Sequence, residues 1–184
     1  MRRSLLTVVP FFCLASFLDP APASAANQQG DWGIATNIGF AYPRADHSYS
    51  SDQTLNFGLE YQKTGYAAYR ATAGFLTIAG SEPISPAAGK RNADALYIAG
   101  NIVFTPRFAV VHPLFTAGVG VYSFRMSDNL GTEHSAELGF NWGVGMDIQL
   151  LMHFALRGEY TLHYTTGNVS SPITTFTIGG HFLF

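Results

Sequence analysis

From residue 31 onward the chain alternates apolar residues with small or polar ones at a period of two, interrupted at intervals by turn residues. That period predicts strands rather than helices. Eight segments follow it. The first, 31–42, sets Trp32, Ile34, Ile38, Phe40 and Tyr42 against Gly33, Ala35, Asn37, Gly39 and Ala41. The second, 54–62, opposes Leu55, Phe57, Leu59 and Tyr61 to Asn56, Gly58, Glu60 and Gln62. The third, 68–78, is less regular, because Leu76 and Ile78 share a face with Arg70. Strands are further predicted over 96–105, 112–123, 135–149 and 153–164, and an eighth closes the chain with Phe176, Ile178, Phe182 and Phe184 on one face.

The two faces select among β architectures. Ten of the 19 glycines (Gly33, Gly39, Gly58, Gly74, Gly118, Gly120, Gly139, Gly143, Gly145 and Gly179) fall on the polar face. Glycine weakens a strand, and a barrel of eight strands, with little interior room for side chains, gives it a reason to be there. The mid-strand charges Glu60, Arg70, Asp147, Arg157 and Glu159 all fall on this glycine face, and none falls on the apolar one. A soluble ligand-binding barrel would reverse that, with a dry interior and a charged exterior. The expected fold class is therefore all-β: an eight-stranded antiparallel transmembrane up-and-down β-barrel spanning 31–184. Ten strands is the nearest alternative, since the long 79–95 segment has room for another hairpin.

Expected connections after odd strands (43–53, 79–95, 124–134, 165–172) are longer than those after even strands (63–67, 106–111, 150–152). Bacterial barrels place long loops outside and short turns in the periplasm, so both termini are expected in the periplasm. Trp32, Tyr42, Tyr61, Tyr66, Phe104, Phe154, Tyr164 and Phe184 sit near strand ends, where interfacial aromatic girdles belong.

The N-terminus carries export chemistry. Arg2 and Arg3 precede a short apolar stretch, 7–18, and Ala23-Ser24-Ala25 supplies a small-x-small cleavage site. Residues 1–25 are thus expected to be a signal peptide and 26–30 a short polar leader. The single cysteine, Cys13, lies in the signal behind Phe11-Phe12, a poor lipidation context, so the mature chain would be cysteine-free. Cleavage takes Lys plus Arg from 10 to 8 and Asp plus Glu from 12 to 11, a net charge of about −3 without a basic patch. Nucleic acid is not an expected partner. No apolar run of ~20 residues follows the signal, as a helical span would need.

The ending Thr177-Ile178-Gly179-Gly180-His181-Phe182-Leu183-Phe184 resembles the C-terminal signal of bacterial outer-membrane barrels, carried by Thr177, Gly179, Phe182 and Phe184. Together with the glycine-alternating segments 116–120 and 141–147, the chain resembles the small OmpA/OmpX-type outer-membrane β-barrel proteins. The resemblance implies residence in the cell outer membrane, contact with its lipid and lipopolysaccharide, insertion by the barrel-assembly machinery, and a monomer. It implies no activity.

Arg157 and Glu159, two apart on one strand, enter the lumen together. With Glu60, Arg70 and Asp147 they are expected to form a buried ionic network, read either as a structural plug or as a gate on a narrow water path. His163, followed by Thr165, invites comparison with the outer-membrane lipid A deacylases, which carry His-x-Ser-Asn on a late strand and a downstream acid. Here the stretch is His163-Tyr164-Thr165-Thr166 and no acid follows Glu159. An imidazole base needs an orienting group, so His163 is read as an ordinary interfacial histidine, with no catalytic residue assigned. His47, His112, His134, His153 and His181 lack paired metal-site spacing and are read as non-ligating, and no cofactor is expected. Lys90-Arg91 with Asp94 is read as a solvated loop tip, and 82–86 as a proline-stiffened loop. Three functions are consistent with these residues: a structural and surface-interaction barrel of the envelope, a narrow channel for small solutes, or a lipid-modifying enzyme. The first is the leading expectation.

Overall fold

The structure is a computed structural model that describes residues 30–43, 49–80, 83–85, 89–90, 92–106, 110–167 and 172–184. The signal peptide, most of the leader, His47, Arg91 and parts of the predicted 43–53, 79–95 and 165–172 loops lie outside the described residues.

Eight long strands form the wall: β1 Trp32–Pro43, β2 Asp52–Thr64, β3 Ala67–Gly80, β4 Asn92–Phe104, β5 Val111–Asp128, β6 Gly131–Leu151, β7 Phe154–Thr165 and β8 Ile173–Leu183. Each pairs antiparallel with its sequence neighbours, and β8 returns to β1, so the sheet closes on itself without an edge through its middle. The seam is finished by mutual backbone bonds between Trp32 and Phe184, at 3.0 and 2.8 Å. Short strands Pro83–Ser85 and Gly89–Lys90 pair only with each other. The extra hairpin that the 79–95 segment had room for thus exists, but it stands apart from an eight-stranded wall.

Register fixes the bore. Partners followed around the wall from Pro43 run through Ile173, His163, Asn141, Gly118, Asn101, Arg70 and Glu60 and return to β1 at Gly33, ten residues from the start. With ~3.3 Å rise per residue and ~4.8 Å between strands, that offset tilts the strands about 40° and sets a backbone radius of about 8 Å. All eight residues after Pro43 on this path share the lumen face. They descend from the loop end of the barrel to the end that holds both termini.

The outward face is apolar where the strands overlap. Ile38, Phe57, Ile98, Ile102, Val119, Phe140, Val144, Phe176 and Ile178 are all exposed. Aromatic pairs frame this band: Trp32 with Tyr61 and Tyr66 with Phe104 toward the terminal end, and Phe140 stacked on Tyr164 toward the other. Such a surface is suited to lipid and to no aqueous environment.

Above Leu96, Phe75 and Val121 the polarity of the wall reverses. On β5, Ser123 and Arg125 point out while Phe124 and Met126 are buried within; on β4, Asp94 points out between buried Ala93 and Ala95. Leu76 and Ile78 are likewise inside, with Thr77 outside. The irregularity expected in the third strand is this reversal. It also corrects the predicted 124–134 loop: β5 and β6 continue as a regular ladder to a two-residue turn at Asn129 and Leu130. Asp128 Oδ1 accepts from the Leu130 and Gly131 amides, at 2.8 and 3.1 Å, and so closes that turn. The connection expected to be long is among the shortest, and the length instead goes into strands that overhang their neighbours.

Glycines make room for rings inside this narrow tube. A Cβ at Gly74 would overlap the Tyr97 ring, and one at Gly139 would come within 2.7 Å of Tyr122. Gly74→Ala is expected to destabilise the folded barrel by about 1–3 kcal/mol through overpacking, read from its urea midpoint in lipid vesicles. A midpoint equal to wild type would show that the ring moves aside freely.

Candidate functional site: an occluded lumen

Three layers fill the lumen. Toward the terminal end lies the ionic layer, built from two cross-strand dyads on opposite walls. Glu60 faces Arg70 across β2 and β3, and Asp147 faces Arg157 across β6 and β7. Arg70 Nε donates to Glu60 Oε1 at 2.6 Å, and Arg157 holds Asp147 side-on through Nε and Nη2, both at 2.7 Å. The dyads are then tied together across the bore. Arg157 Nη1 donates to Glu60, and Arg70 Nη1 donates to Glu159 at 2.8 Å. All five groups are buried, none more than 7 % exposed. Removing one side chain from such a set strands its partners, which is costly where water is scarce.

His181 joins this layer. Its Nδ1 lies 2.9 Å from Arg157 Nη2 and 3.1 Å from Asp147 Oδ2, and the ring is 1 % exposed. His181, which lacks the spacing of a metal ligand, lies two residues after Gly179 and so on the lumen face, where it meets Arg157 and Asp147. His112, opposite Asp147 in the register, is buried as well.

The middle layer is uncharged and polar: Asn37, Asn56, Thr72, Asn101, Thr116, Asn141, Thr161 and Thr175. Asn37 donates to Asn56 at 2.9 Å, and Asn101 donates to Thr72 at 3.1 Å.

The third layer, toward the loop end, is an apolar and aromatic cap of Leu76, Ile78, Tyr97, Tyr122, Phe124, Met126 and Ile173. Tyr97 and Tyr122 stack with centroids 5.3 Å apart, and Tyr122 and Phe124 stack at 6.3 Å. His163 lies beneath them, 3 % exposed, edge-on to Tyr97 at 5.2 Å. Tyr122 Oη is 2.9 Å from His163 Nδ1, and Thr175 Oγ1 is 3.3 Å from His163 Nε2. His163 is thus a lumen residue under an aromatic lid, not an interfacial one. Its two ring nitrogens meet a phenol and a hydroxyl.

Among the C-terminal residues, Thr177 and Gly179 face the lumen, where the Thr177 hydroxyl reaches the Glu159 carbonyl at 3.4 Å. Phe182 and Phe184 face outward, 6.4 Å apart. Asp94 lies on the outer side of β4 rather than in a loop tip.

A closed antiparallel wall with an apolar outer band and, at the level of that band, its charged side chains turned into the bore defines a transmembrane β-barrel. The chain belongs to the outer membrane protein beta-barrel domain family, whose model matches residues 11–182, and it is therefore an outer-membrane protein. Similar solved structures include the outer membrane protein OprG of Pseudomonas aeruginosa, at 13% identity and a TM-score of 0.65 over 86% of this chain and 97% of that one. A major outer membrane protein of Thermus thermophilus is 14% identical, with a TM-score of 0.59 over 84% and 99%. The attachment invasion locus protein Ail of Yersinia pestis is 14% identical, with a TM-score of 0.58 over 85% and 100%. At these identities the likeness is one of fold. No curated protein matches the chain.

Proposed function

We propose that this chain is a sealed barrel whose work is done outside its lumen, as a structural and surface-interaction protein of the envelope. The observation that carries this reading is the double closure of the bore. A solute entering from one end meets five mutually bonded charged side chains, and from the other a stacked aromatic cap. The ionic network serves as a plug under this reading, and the channel alternative would need both layers to move. Reconstituted in planar bilayers, the wild-type protein is expected to give no stable conductance steps above background. Reproducible steps from the wild type would overturn the plug and promote the channel.

What such a barrel presents is the β5–β6 hairpin. β7 ends opposite Gly139, so β6 from Gly131 to about Leu138 rises past it, about 8 residues or ~26 Å of strand. The reversed polarity there suits a rigid ladder standing in water. The orientation proposed is hairpin outward, termini in the periplasm. The mature chain carries no cysteine if cleavage follows Ala25, so Leu130→Cys, on an exposed turn residue, supplies a single thiol. Intact cells are expected to label it with a membrane-impermeant maleimide, and labelling only after lysis would reverse the orientation.

The proposal assigns the protein no enzymatic role. The side-chain bonds of His163 go to Tyr122 and Thr175, a phenol and a hydroxyl where a base would need an orienting carboxylate. Thr177, Gly179, Phe182 and Phe184 are proposed to be read by the barrel-assembly machinery, and the outer band to meet lipid and lipopolysaccharide as a monomer.

A further inference from the structure

Most strand glycines of this barrel face the lumen, where space is short. Gly100 faces outward, and a Cβ there would meet nothing within 4 Å. Glycine weakens a strand, and close packing gives no reason for one at this position. In the register Gly100 lies between Ala71 and Val119, and Ala117 is the next outward residue below Val119. These small side chains leave a groove of about 680 Å³ in the apolar band, a volume within the ~300–1,000 Å³ of ligand sites. The groove slants down the wall from Val119 to Tyr61 and Trp32, with the same descent as the lumen path behind it through Gly118, Asn101, Arg70 and Glu60. Its lower end is aromatic: Trp32 and Tyr61 have ring centroids 5.1 Å apart, and Tyr69 is the register partner of Tyr61. Two residues past Tyr61 toward the terminal end, Lys63 stands exposed on β2.

Shape and charge choose among occupants. A second copy in the same membrane keeps the same up-and-down sense, so a two-fold interface sets groove against groove and Lys63 level with Lys63. Two concave faces of like charge do not fill each other. A phospholipid matches both features. Its acyl chain is a convex apolar body for the slot, and its phosphate meets an ammonium at the level where aromatic side chains mark the membrane interface. A lysine there lays its stem on apolar surface and keeps its charge among the headgroups. We infer that this groove is a specific site for one phospholipid, with an acyl chain along Ala71, Gly100 and Ala117 and the phosphate on Lys63. The lipid belongs to the leaflet at the terminal end, which is the periplasmic leaflet under the orientation proposed above. Only the choice of leaflet rests on that orientation, and the Leu130→Cys labelling tests it separately.

Retention of lipid after extraction reads the site. Wild-type barrel folded in vesicles of palmitoyl-oleoyl phosphatidylglycerol and released into mild detergent is expected to carry one bound lipid in its native mass spectrum. Gly100→Leu fills the groove from a position with open space around it, so the barrel still folds. It is expected to lower the lipid-bound fraction severalfold, at a urea midpoint no lower than wild type. Gly158→Leu on β7, also outward with nothing within 4 Å of its Cβ, is the control and is expected to leave that fraction unchanged. Lys63→Gln keeps the groove, removes the charge, and is expected to weaken retention severalfold. Folded wild type without a retained lipid, or equal losses in Gly100→Leu and Gly158→Leu, would overturn the site. Full retention in Lys63→Gln would overturn the phosphate contact. A dimer peak lost in Gly100→Leu would give the groove to a second copy and overturn the lipid as its occupant.

Discussion

Arg157→Ala is expected to cost about 3–5 kcal/mol of folding stability, more than any change to a surface charge on this barrel. Arg157 is 1 % exposed and serves two acids on opposite walls, Asp147 beside it and Glu60 across the bore. Without it Asp147 keeps His181 but loses its guanidinium, and Glu60 must share Arg70 with Glu159. An exposed pair would lose under about 1 kcal/mol, because water would take the place of the guanidinium. Urea unfolding in lipid vesicles reads the difference. The coupling should show in a double-mutant cycle: Asp147→Asn in the Arg157→Ala background is expected to cost far less than it does alone, since the acid no longer has a guanidinium to lose. Wild-type stability in Arg157→Ala would mean that water already reaches the cluster, and the plug would then fail along with the dry layer.

How much of this is legible in the sequence follows from where the alternation keeps its sign. Inside the bilayer the rule is apolar out and polar in, and the membership of the ionic layer follows from it: parity alone assigns Glu60, Arg70, Asp147, Arg157 and Glu159 to the lumen. The pairing does not follow. Two residues of one strand, Arg157 and Glu159, enter together yet bond differently: Arg157 holds Asp147 beside it and reaches Glu60 across the bore, whereas Glu159 accepts from Arg70 on the far wall. That choice is set by the ten-residue offset of the closed wall, which no single strand carries. His181 is legible by parity too, and spacing rules for metal sites are blind to it because its partners are an arginine and an acid on other strands. The aromatic cap is hidden for a different reason. Above the bilayer the outside of the wall is wet, so the pattern turns to polar out and apolar in, and Ser123-Phe124-Arg125-Met126 reads as the end of a strand. It is a strand that has left the lipid.

A charge placed on the lipid-facing band is the second large effect expected. Ile38 lies midway along β1, is 59 % exposed, and faces Ile178 across the seam between β1 and β8. Its neighbour Asn37 points the other way, into the lumen, so one residue separates a polar environment from hydrocarbon. Arginine near the bilayer midplane of a barrel costs about 2–4 kcal/mol, and near the interface about 0–1. Ile38→Arg is therefore expected to lower the unfolding free energy by ~2–4 kcal/mol in vesicles. The same substitution at Trp32, on the same face at the terminal end of β1, is expected to cost well under half of that. The gradient between the two positions is the informative quantity, because it measures depth in lipid and is insensitive to what fills the bore. Equal and small costs at both would place Ile38 in water and would contradict a band of hydrocarbon around the middle of the barrel.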